Sequence, residues 1–298
     1  MSTQHDSRPR LPRASNAPHR GFVRRRVPAH LSVARLGDTA AVLFLALLGV
    51  AVVAPGVLAP GSPYEVSGVG VLQSPSSTAW FGTDYLGRDL LSRVVFGSQQ
   101  TLFGASVAVL VGLSIGSTLG LLAAYFGGIL DSVISRIVDV LLSIPGLLLA
   151  MVVIVALGFG TLNAAVAVGI ASVATFARLM RSEVLRVRNL PFVEAARHLG
   201  VRPGRLLVRH ILPSSYGPVL SMTALQFGAA ILWITALSFL GFGAPPPQPE
   251  WGLLVSEGRE YLASSWWMTV LPGVVIVVTV LAISRIAVIF SAQRKAVQ

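Results

Sequence analysis

The fold of this chain is decided by LFGASVAVLVGLSIGSTLGLLAAYF, the stretch from Leu102 to Phe126, which contains no charged residue. It is longer than the roughly 20 apolar residues that a helix needs to cross about 30 Å of hydrocarbon. A helix at the surface of a water-soluble core would carry polar residues on one face, at a period of about 3.6. The stretch therefore predicts a helix that crosses a lipid bilayer.

Outward from this stretch, further apolar blocks occupy most of the chain. We predict spans at about 39–58, 102–126, 140–157, 162–180, 218–240 and 267–283. The fourth is short and includes Arg178, whose long side chain can reach the membrane surface. The composition agrees, because 54% of the residues are hydrophobic and only 12% are charged, against roughly 25% charged in soluble domains. We predict an all-α membrane protein with about six transmembrane helices and a transmembrane domain over residues 38–292.

The N-terminal segment, residues 1–37, is rich in arginine, proline and serine and predicts a disordered basic tail. The apolar block that follows is longer than the core of a secretory signal peptide, which is about 7 to 15 residues. We therefore expect this block to remain as a membrane anchor. Residues 293–298 predict a second, short tail.

The distribution of arginine predicts the orientation, because basic residues beside membrane segments stay on the cytoplasmic side. Arginines crowd the N-terminal tail and the connection from Arg178 to Arg209, between the fourth and fifth spans. Four of the six predicted crossings separate these two segments, which puts both on the same side of the membrane. The sequence predicts a multi-pass protein of the plasma or inner membrane, with both termini in the cytoplasm and a long external loop from Ala59 to Ser98.

The composition disfavours several classes of function. The net charge of +11 comes from arginines between apolar blocks, where they orient the chain, rather than from the basic face of a nucleic-acid or lipid binder. The chain has no cysteine, its five histidines lack metal-ligand spacing, and its acids form no catalytic arrangement. It also has no GxxxxGK[ST] phosphate-binding loop. We expect no catalytic, cofactor-binding or metal-binding residue and no nucleic-acid partner.

Small residues recur at every fourth position of the second span, at Ala108, Gly112, Gly116 and Gly120. Such a strip lets another helix approach closely. That helix can belong to this chain or to a second subunit, and the sequence leaves both open. Pro145, early in the third span, removes a backbone hydrogen bond and predicts a bend, with a gating hinge as the alternative.

The most informative segment reads NLPFVEAARHLGVRPGRLLVRHILPSS, at residues 189–215. Pro191 and Pro203 each favour the start of a helix. Gly200 suits the left-handed cap of the first helix, and Pro213 is expected to end the second. The segment therefore predicts a helix, a turn and a helix.

Glu194 complements the dipole of the first predicted helix, and the small side chains of Ala195 and Ala196 let another surface approach its backbone. The whole cytoplasmic loop, residues 183–215, is long for a connection in such a protein, and long ordered loops tend to be functional. It either docks a partner or packs beneath its own bundle, and these residues alone favour neither.

The order of residues in this loop resembles the EAA loop of ABC-importer permeases, whose short helix couples the membrane subunit to the ATPase. The matching positions are Glu194, Ala195, Ala196, Gly200, Ile211, Leu212 and Pro213. With His210 directly before Ile211, the end of this loop looks like the version found in the dipeptide, oligopeptide and nickel permeases. The resemblance implies the fold of a type I ABC-importer permease, with these residues as its ATPase-coupling loop.

Other segments resemble the same subfamily over most of the chain. They are Gly82 to Asp84, Leu86 to Asp89, Ser92 with Arg93, Gly127 and Gly128 with Asp131, Arg136 with Asp139, and Pro246 to Gly252. The segment after the first span is typical of the C-type transmembrane subunit. Two departures are a longer, more basic N-terminal tail and the lack of the family's usual pattern over residues 282–297.

This resemblance implies a permease subunit of an ATP-driven importer of di- or oligopeptides, with nickel or another small solute as the alternative. It also implies a second permease in a heterodimer, two ATPase subunits that carry ATP and magnesium, and an external solute-binding protein. An ion-coupled secondary transporter, the rival class, would place ionisable residues inside the spans, and these are nearly absent.

Four charged residues, Asp84, Arg88, Asp89 and Arg93, close the predicted external loop. They either contact the binding protein or pair with one another to fix the loop. We favour pairing, because opposite charges at such short spacing can reach each other.

Overall fold

The computed structural model describes residues 30–295, with side chains described over 37–289. Most of the predicted N-terminal tail, and residues 296–298 of the C-terminal one, lie outside the described residues. Helix α1 begins at His30, so the end of the segment that we expected to be disordered is helical. The prediction of disorder up to residue 37 is wrong for that part.

The described residues form helices and loops, and between residues 30 and 295 no β-strand occurs beyond two isolated bridges in the external loop. The helices are α1 (His30–Val53), α2 (Pro55–Leu58), α3 (Leu90–Phe126), α4 (Gly128–Ser143), α5 (Gly146–Leu157), α6 (Thr161–Arg188), α7 (Pro191–His198), α8 (Pro203–Leu206), α9 (Leu212–Phe239), α10 (Trp251–Gly258) and α11 (Trp267–Lys295). A π-helical turn, Leu207–Ile211, joins α8 to α9.

Within the described residues, four continuous helical stretches are long and apolar enough to cross a bilayer. They cover Leu90–Phe126, Thr161–Arg188, Pro203–Phe239 and Trp267–Ile289. The pair α4 and α5 gives a fifth if it counts as one broken span, and the apolar part of α1 is shorter, at Gly37–Val53. A helical protein with several membrane-spanning segments is thus confirmed, and the count of six remains a prediction.

The third predicted span is broken. The axes of α4 and α5 meet at 99°, so a single helix over 140–157 is wrong, although the bend falls at the predicted proline. Pro145 has no N–H to bond to the carbonyl of Leu141, and its ring keeps Ile144 extended, at φ −91° and ψ 130°.

Two other boundaries differ from the prediction. Helix α1 ends at Val53, because the ring of Pro55 disfavours the helical conformation at Ala54. Helix α3 starts at Leu90, inside the predicted external loop, where the side chain of Asp89 accepts a hydrogen bond from the Ser92 N–H (2.7 Å) and caps the helix.

The small-residue strip of α3 packs against α6 of the same chain. A Cβ atom at Gly116 or Gly120 would collide with the carbonyl of Val173 or Ala177. Ala108 and Gly112 are buried along the same face. Of the two alternatives that the sequence left open, the structure contains the intramolecular contact. Buried residues of α5, α9 and α10 extend this core.

Candidate coupling loop and external charge network

The loop between α6 and α9 is built around α7, which begins at Pro191 and ends in a Schellman motif. Gly200 has φ +76°, the N–H of Val201 donates to the carbonyl of Ala196 (3.2 Å), and the N–H of Gly200 donates to that of Arg197 (3.0 Å). The predicted left-handed cap is therefore present at the predicted glycine. It stops α7 after two turns and reverses the chain toward α8.

Helix α7 has one buried and one exposed face. Val193 is fully buried in a cluster with Val184 and Val187 of α6 and with Leu206 and Ile211. On the exposed side, 47% of Phe192 and 85% of Leu199 are accessible, and Glu194 and Ala195 are exposed as well. The buried face fixes α7 to the end of the bundle, and the exposed face leaves apolar area available.

The two alanines of the predicted docking helix differ in environment. Ala195 is exposed, whereas Ala196 is half-buried and packs against the cluster around Val193. Of this pair, only Ala195 offers its side chain to another molecule. Neighbouring residues in the sequence do not indicate this difference, because it depends on where the axis of α7 lies on α6.

Pro213 does not end a helix, contrary to the prediction. The chain passes from α8 through the π turn into α9 without interruption, and Pro213 occupies the first turn of α9. In the π turn the N–H of Leu212 donates to the carbonyl of Leu207. A π turn inserts a residue into the helix, which accommodates the missing N–H of the proline. Ile211 is buried there, Leu212 is half-buried and Pro213 is exposed.

Ion pairs connect the same end of the bundle to α4. Arg181 of α6 binds both carboxylate oxygens of Asp131, at 2.6 and 2.8 Å, and Arg178 binds Asp139 at 2.6 Å. Arg188 donates to the carbonyl of Ala124 (3.1 Å) at the end of α3. The base of the loop is thus joined to α3 and α4 by hydrogen bonds as well as by packing.

The predicted external loop ends in a buried network of charges. Asp84 accepts hydrogen bonds from Arg88 Nε (2.6 Å) and Arg93 Nη1 (2.9 Å), and its other oxygen accepts from the N–H groups of Leu86 and Arg88 (both 2.9 Å). Asp84 and Arg93 have no accessible side-chain surface, and Asp89 caps α3. The favoured alternative, pairing within the loop, is what the structure contains.

Sequence reasoning missed one member of this network, Glu257 of α10. Its carboxylate lies 2.6 Å from Arg93 Nη1, and Tyr85 donates to it at 3.4 Å. Burial raises the pKa of the Tyr85 hydroxyl, and the charge of Glu257 adds to that effect. No spacing rule connects residues so distant in sequence, so no local signal could have found Glu257.

These features define a class of protein. The described residues form a bundle of long apolar helices with an ordered, capped helical loop and a second loop held by buried ion pairs, which is the architecture of a multi-pass helical membrane protein. The chain belongs to the family of binding-protein-dependent transport system inner membrane components, whose model matches residues 116–295. The resemblance read from the Glu194 loop is thereby confirmed, and the chain is a transport subunit rather than an enzyme.

Several relatives are similar over most of their length. The dipeptide transport system permease protein DppC of Alkalihalophilus pseudofirmus is 39% identical over 252 residues, which are 85% of this chain and 83% of the relative. The glutathione transport system permease protein GsiD of Pectobacterium atrosepticum is 39% identical over 269 residues, 89% of this chain and 86% of the relative. A probable D,D-dipeptide transport system permease protein of Escherichia coli is 40% identical over 241 residues, which cover 81% of this chain and 80% of that protein.

Solved structures support the fold. A chain of the MetNI methionine ABC transporter in an inward-facing conformation has a TM-score of 0.55 at 22% identity, covering 67% of this chain and 97% of that one. A chain of an amino acid ABC transporter has a TM-score of 0.54 at 18% identity, covering 67% and 94%. The helices of this chain thus follow the arrangement found in ABC-importer permeases.

Proposed function

We propose that this chain is the C-type permease subunit of an ATP-driven importer of di- or oligopeptides. The substrate class is carried over from the relatives, whose names specify dipeptides and glutathione, a tripeptide. Nickel or another small solute is the alternative. Among the residues that the structure describes, no group of three or more His, Asp or Glu could hold a metal ion.

The observation that carries the coupling role is the two-faced helix α7. Its exposed apolar side chains, Phe192 and Leu199, favour contact with a protein surface, and the small Ala195 between them leaves room for close approach. The partner in this proposal is one of two ATPase subunits that bind ATP and magnesium. Glu194 lies in the first turn of α7, where its charge complements the helix dipole.

Transmission from the ATPase follows from the packing of α7. Val193 is buried against α6, and the turn after α8 continues directly into α9. A displacement of α7 therefore moves the ends of two long helices, because a close-packed core is stiff. In this proposal Gly200, Ile211, Leu212 and Pro213 hold the geometry of the loop rather than touch the ATPase.

The rest of the assembly completes the proposal. A second permease forms a heterodimer with this chain, and its contact lies away from the strip that α6 covers. An external solute-binding protein docks on the outer loop, where Trp80 and Tyr64 are exposed. That loop is supported from beneath by the charged residues Asp84, Arg88, Asp89 and Arg93. Both termini are cytoplasmic, and the membrane is crossed six times.

Transport by the reconstituted complex tests the proposal. The subunits that copurify with this chain are placed in lipid vesicles with ATP inside and a labelled dipeptide and the binding protein outside. We expect uptake of the dipeptide that requires ATP and the binding protein, and no ATP hydrolysis by this chain alone. Uptake of Ni²⁺ without uptake of peptide would contradict the proposal of a peptide substrate. ATP hydrolysis by the isolated chain would contradict the proposal that only the partner subunits hydrolyse ATP.

A further inference from the structure

The break between α4 and α5 leaves backbone groups without helical partners. Pro145 cannot donate to the carbonyl of Leu141, and the 99° bend carries the next N–H groups away from the axis of α4. Ser143, Ile144 and Pro145 are exposed on the surface of this chain. The hydroxyl of Ser143 donates back to the carbonyl of Val140 (2.7 Å), which leaves the carbonyls after it to other donors.

This break lies inside the bundle rather than at its end. The end of α5 is fixed by the hydrogen bond from the Gly160 N–H to the Phe242 carbonyl (3.4 Å), beside the start of α6. The 12 residues of α5 measure about 18 Å, whereas the 28 residues of α6 measure about 42 Å. Gly146 touches the indole of Trp233, about 9 Å before the end of α9 at Phe239. Both lengths put the break within a hydrocarbon layer of about 30 Å.

Backbone groups at that depth cannot face lipid, because hydrocarbon offers no hydrogen-bond partner in place of water. A neighbouring transmembrane helix covers such groups poorly, since its own N–H groups are already paired within the helix. Water and an extended peptide both carry free N–H or O–H donors. The break therefore suits the wall of an aqueous path through which an extended chain passes.

We propose that the break between α4 and α5, from Leu141 to Gly146, lines the translocation path and that the carbonyls from Leu141 to Ile144 accept N–H groups of the passing peptide. The carbonyl of Pro145 is already bound by the N–H of Leu149 (3.0 Å). This inference rests on the proposed function. Such contacts recognise the peptide backbone and not the side chains, so they serve peptides of different sequence. Trp233 supports the break from behind, where a Cβ atom at Gly146 would collide with its ring.

Thiol labelling tests the inference, because the chain has no cysteine of its own. A Ser143→Cys variant in the reconstituted complex is exposed to a charged, water-soluble thiol reagent, and Val152→Cys is the control. Val152 lies on α5 with 68% of its surface accessible in the isolated chain, but on an uninterrupted part of the helix. We expect labelling at position 143 to be at least tenfold faster than at 152. Dipeptide supplied with the binding protein and ATP should slow labelling at 143 several-fold.

The outcomes separate this inference from the proposed function. Equally slow labelling at both positions, in vesicles that take up peptide, would overturn the path while leaving the transporter in place. Fast labelling at 143 that peptide does not slow would overturn the contact with the peptide backbone. If the wild-type complex takes up no peptide, both proposals of a peptide substrate fail together.

Discussion

Nη1 of Arg93 and Oε2 of Glu257 lie 2.6 Å apart, although 164 residues separate them in sequence. The contact joins the first turn of α3 to the last turn of α10, beneath the external loop. Arg93 is fully buried and also binds Asp84, so one guanidinium holds two acids from different parts of the chain. The position of the external loop on the bundle depends on this contact.

Removal of one acid from the network should destabilise the protein strongly. A Glu257→Gln substitution leaves Arg93 with a single carboxylate, and breaking a buried pair costs about 3 to 5 kcal/mol. We expect a clear drop in the unfolding temperature of the purified complex. Glu260→Gln is the control, because Glu260 is exposed one turn away. Equal unfolding temperatures for the two variants would refute a structural role of Glu257.

The coupling loop should tolerate valine at Gly204 but not at Gly200. Neither position has atoms within 4 Å of an added Cβ, but Gly200 has φ +76° and Gly204 lies in α8. A β-branched residue resists the left-handed conformation, so Gly200→Val should distort the cap of α7. We expect normal membrane abundance, weaker copurification with the ATPase and little uptake. Full uptake per assembled complex would remove the coupling role from this loop.

Bulk on α7 should act by two different routes. Ala195→Trp adds volume on the exposed face and should block the ATPase while the chain itself folds normally. Ala196→Trp adds volume against the cluster around Val193 and should lower the abundance of the chain, since overpacking a core costs roughly 1 to 3 kcal/mol. Abundance and copurification measured on one preparation distinguish them. Identical behaviour of the two variants would contradict the assignment of faces.

The strip on α3 should be sensitive to a single methyl group. Gly120→Ala brings a Cβ into the carbonyl of Ala177, whereas Gly49→Ala on α1 meets nothing within 4 Å. We expect Gly120→Ala to lower the unfolding temperature and Gly49→Ala to leave it unchanged or raise it slightly, since alanine favours helix. The thermal unfolding of both purified variants checks this. No loss in Gly120→Ala would mean that α3 and α6 are less tightly packed.

Glu250 should make stability depend on pH. It lies before α10, outside the candidate spans, and accepts hydrogen bonds from the N–H groups of Gly252 and Leu253 (both 3.0 Å) and from the Thr101 hydroxyl (3.1 Å). Burial raises the pKa of its carboxyl. The folded protein therefore favours the protonated form of Glu250. The contribution of this group to the stability of the fold is complete at a pH below the ordinary pKa of glutamate, and it is lost as the pH rises through the higher pKa of the folded state.

The measurement compares wild type with Glu250→Gln over a range of pH. As the pH rises above the ordinary pKa of glutamate, the unfolding temperature of the wild type should fall relative to that of the variant, because glutamine cannot ionise. Parallel curves for the two proteins would show that Glu250 does not titrate in this way.

Much of this protein could be predicted from the sequence because lipid imposes a simple rule. A span must be apolar over about 20 residues, and arginine marks the cytoplasmic side, so Leu102–Phe126 and the arginines up to Arg209 indicated a multi-spanning membrane protein. The cap of α7 was equally local: Gly200 is suited to a left-handed conformation that other residues adopt at a cost. The order of residues around Glu194 identified the family.

Only the tertiary structure decided the relations between distant segments. It assigned the strip of α3 to α6, separated Ala195 from Ala196, and brought Glu257 to Arg93. It also turned the bend expected at Pro145 into a break of 99° and carried the chain past Pro213 through a π turn. Hydrophobicity and backbone preference act over a few residues and can be read along a chain. Packing and ion pairing depend on which surfaces meet, and the surfaces that meet are determined only when all the helices are packed together.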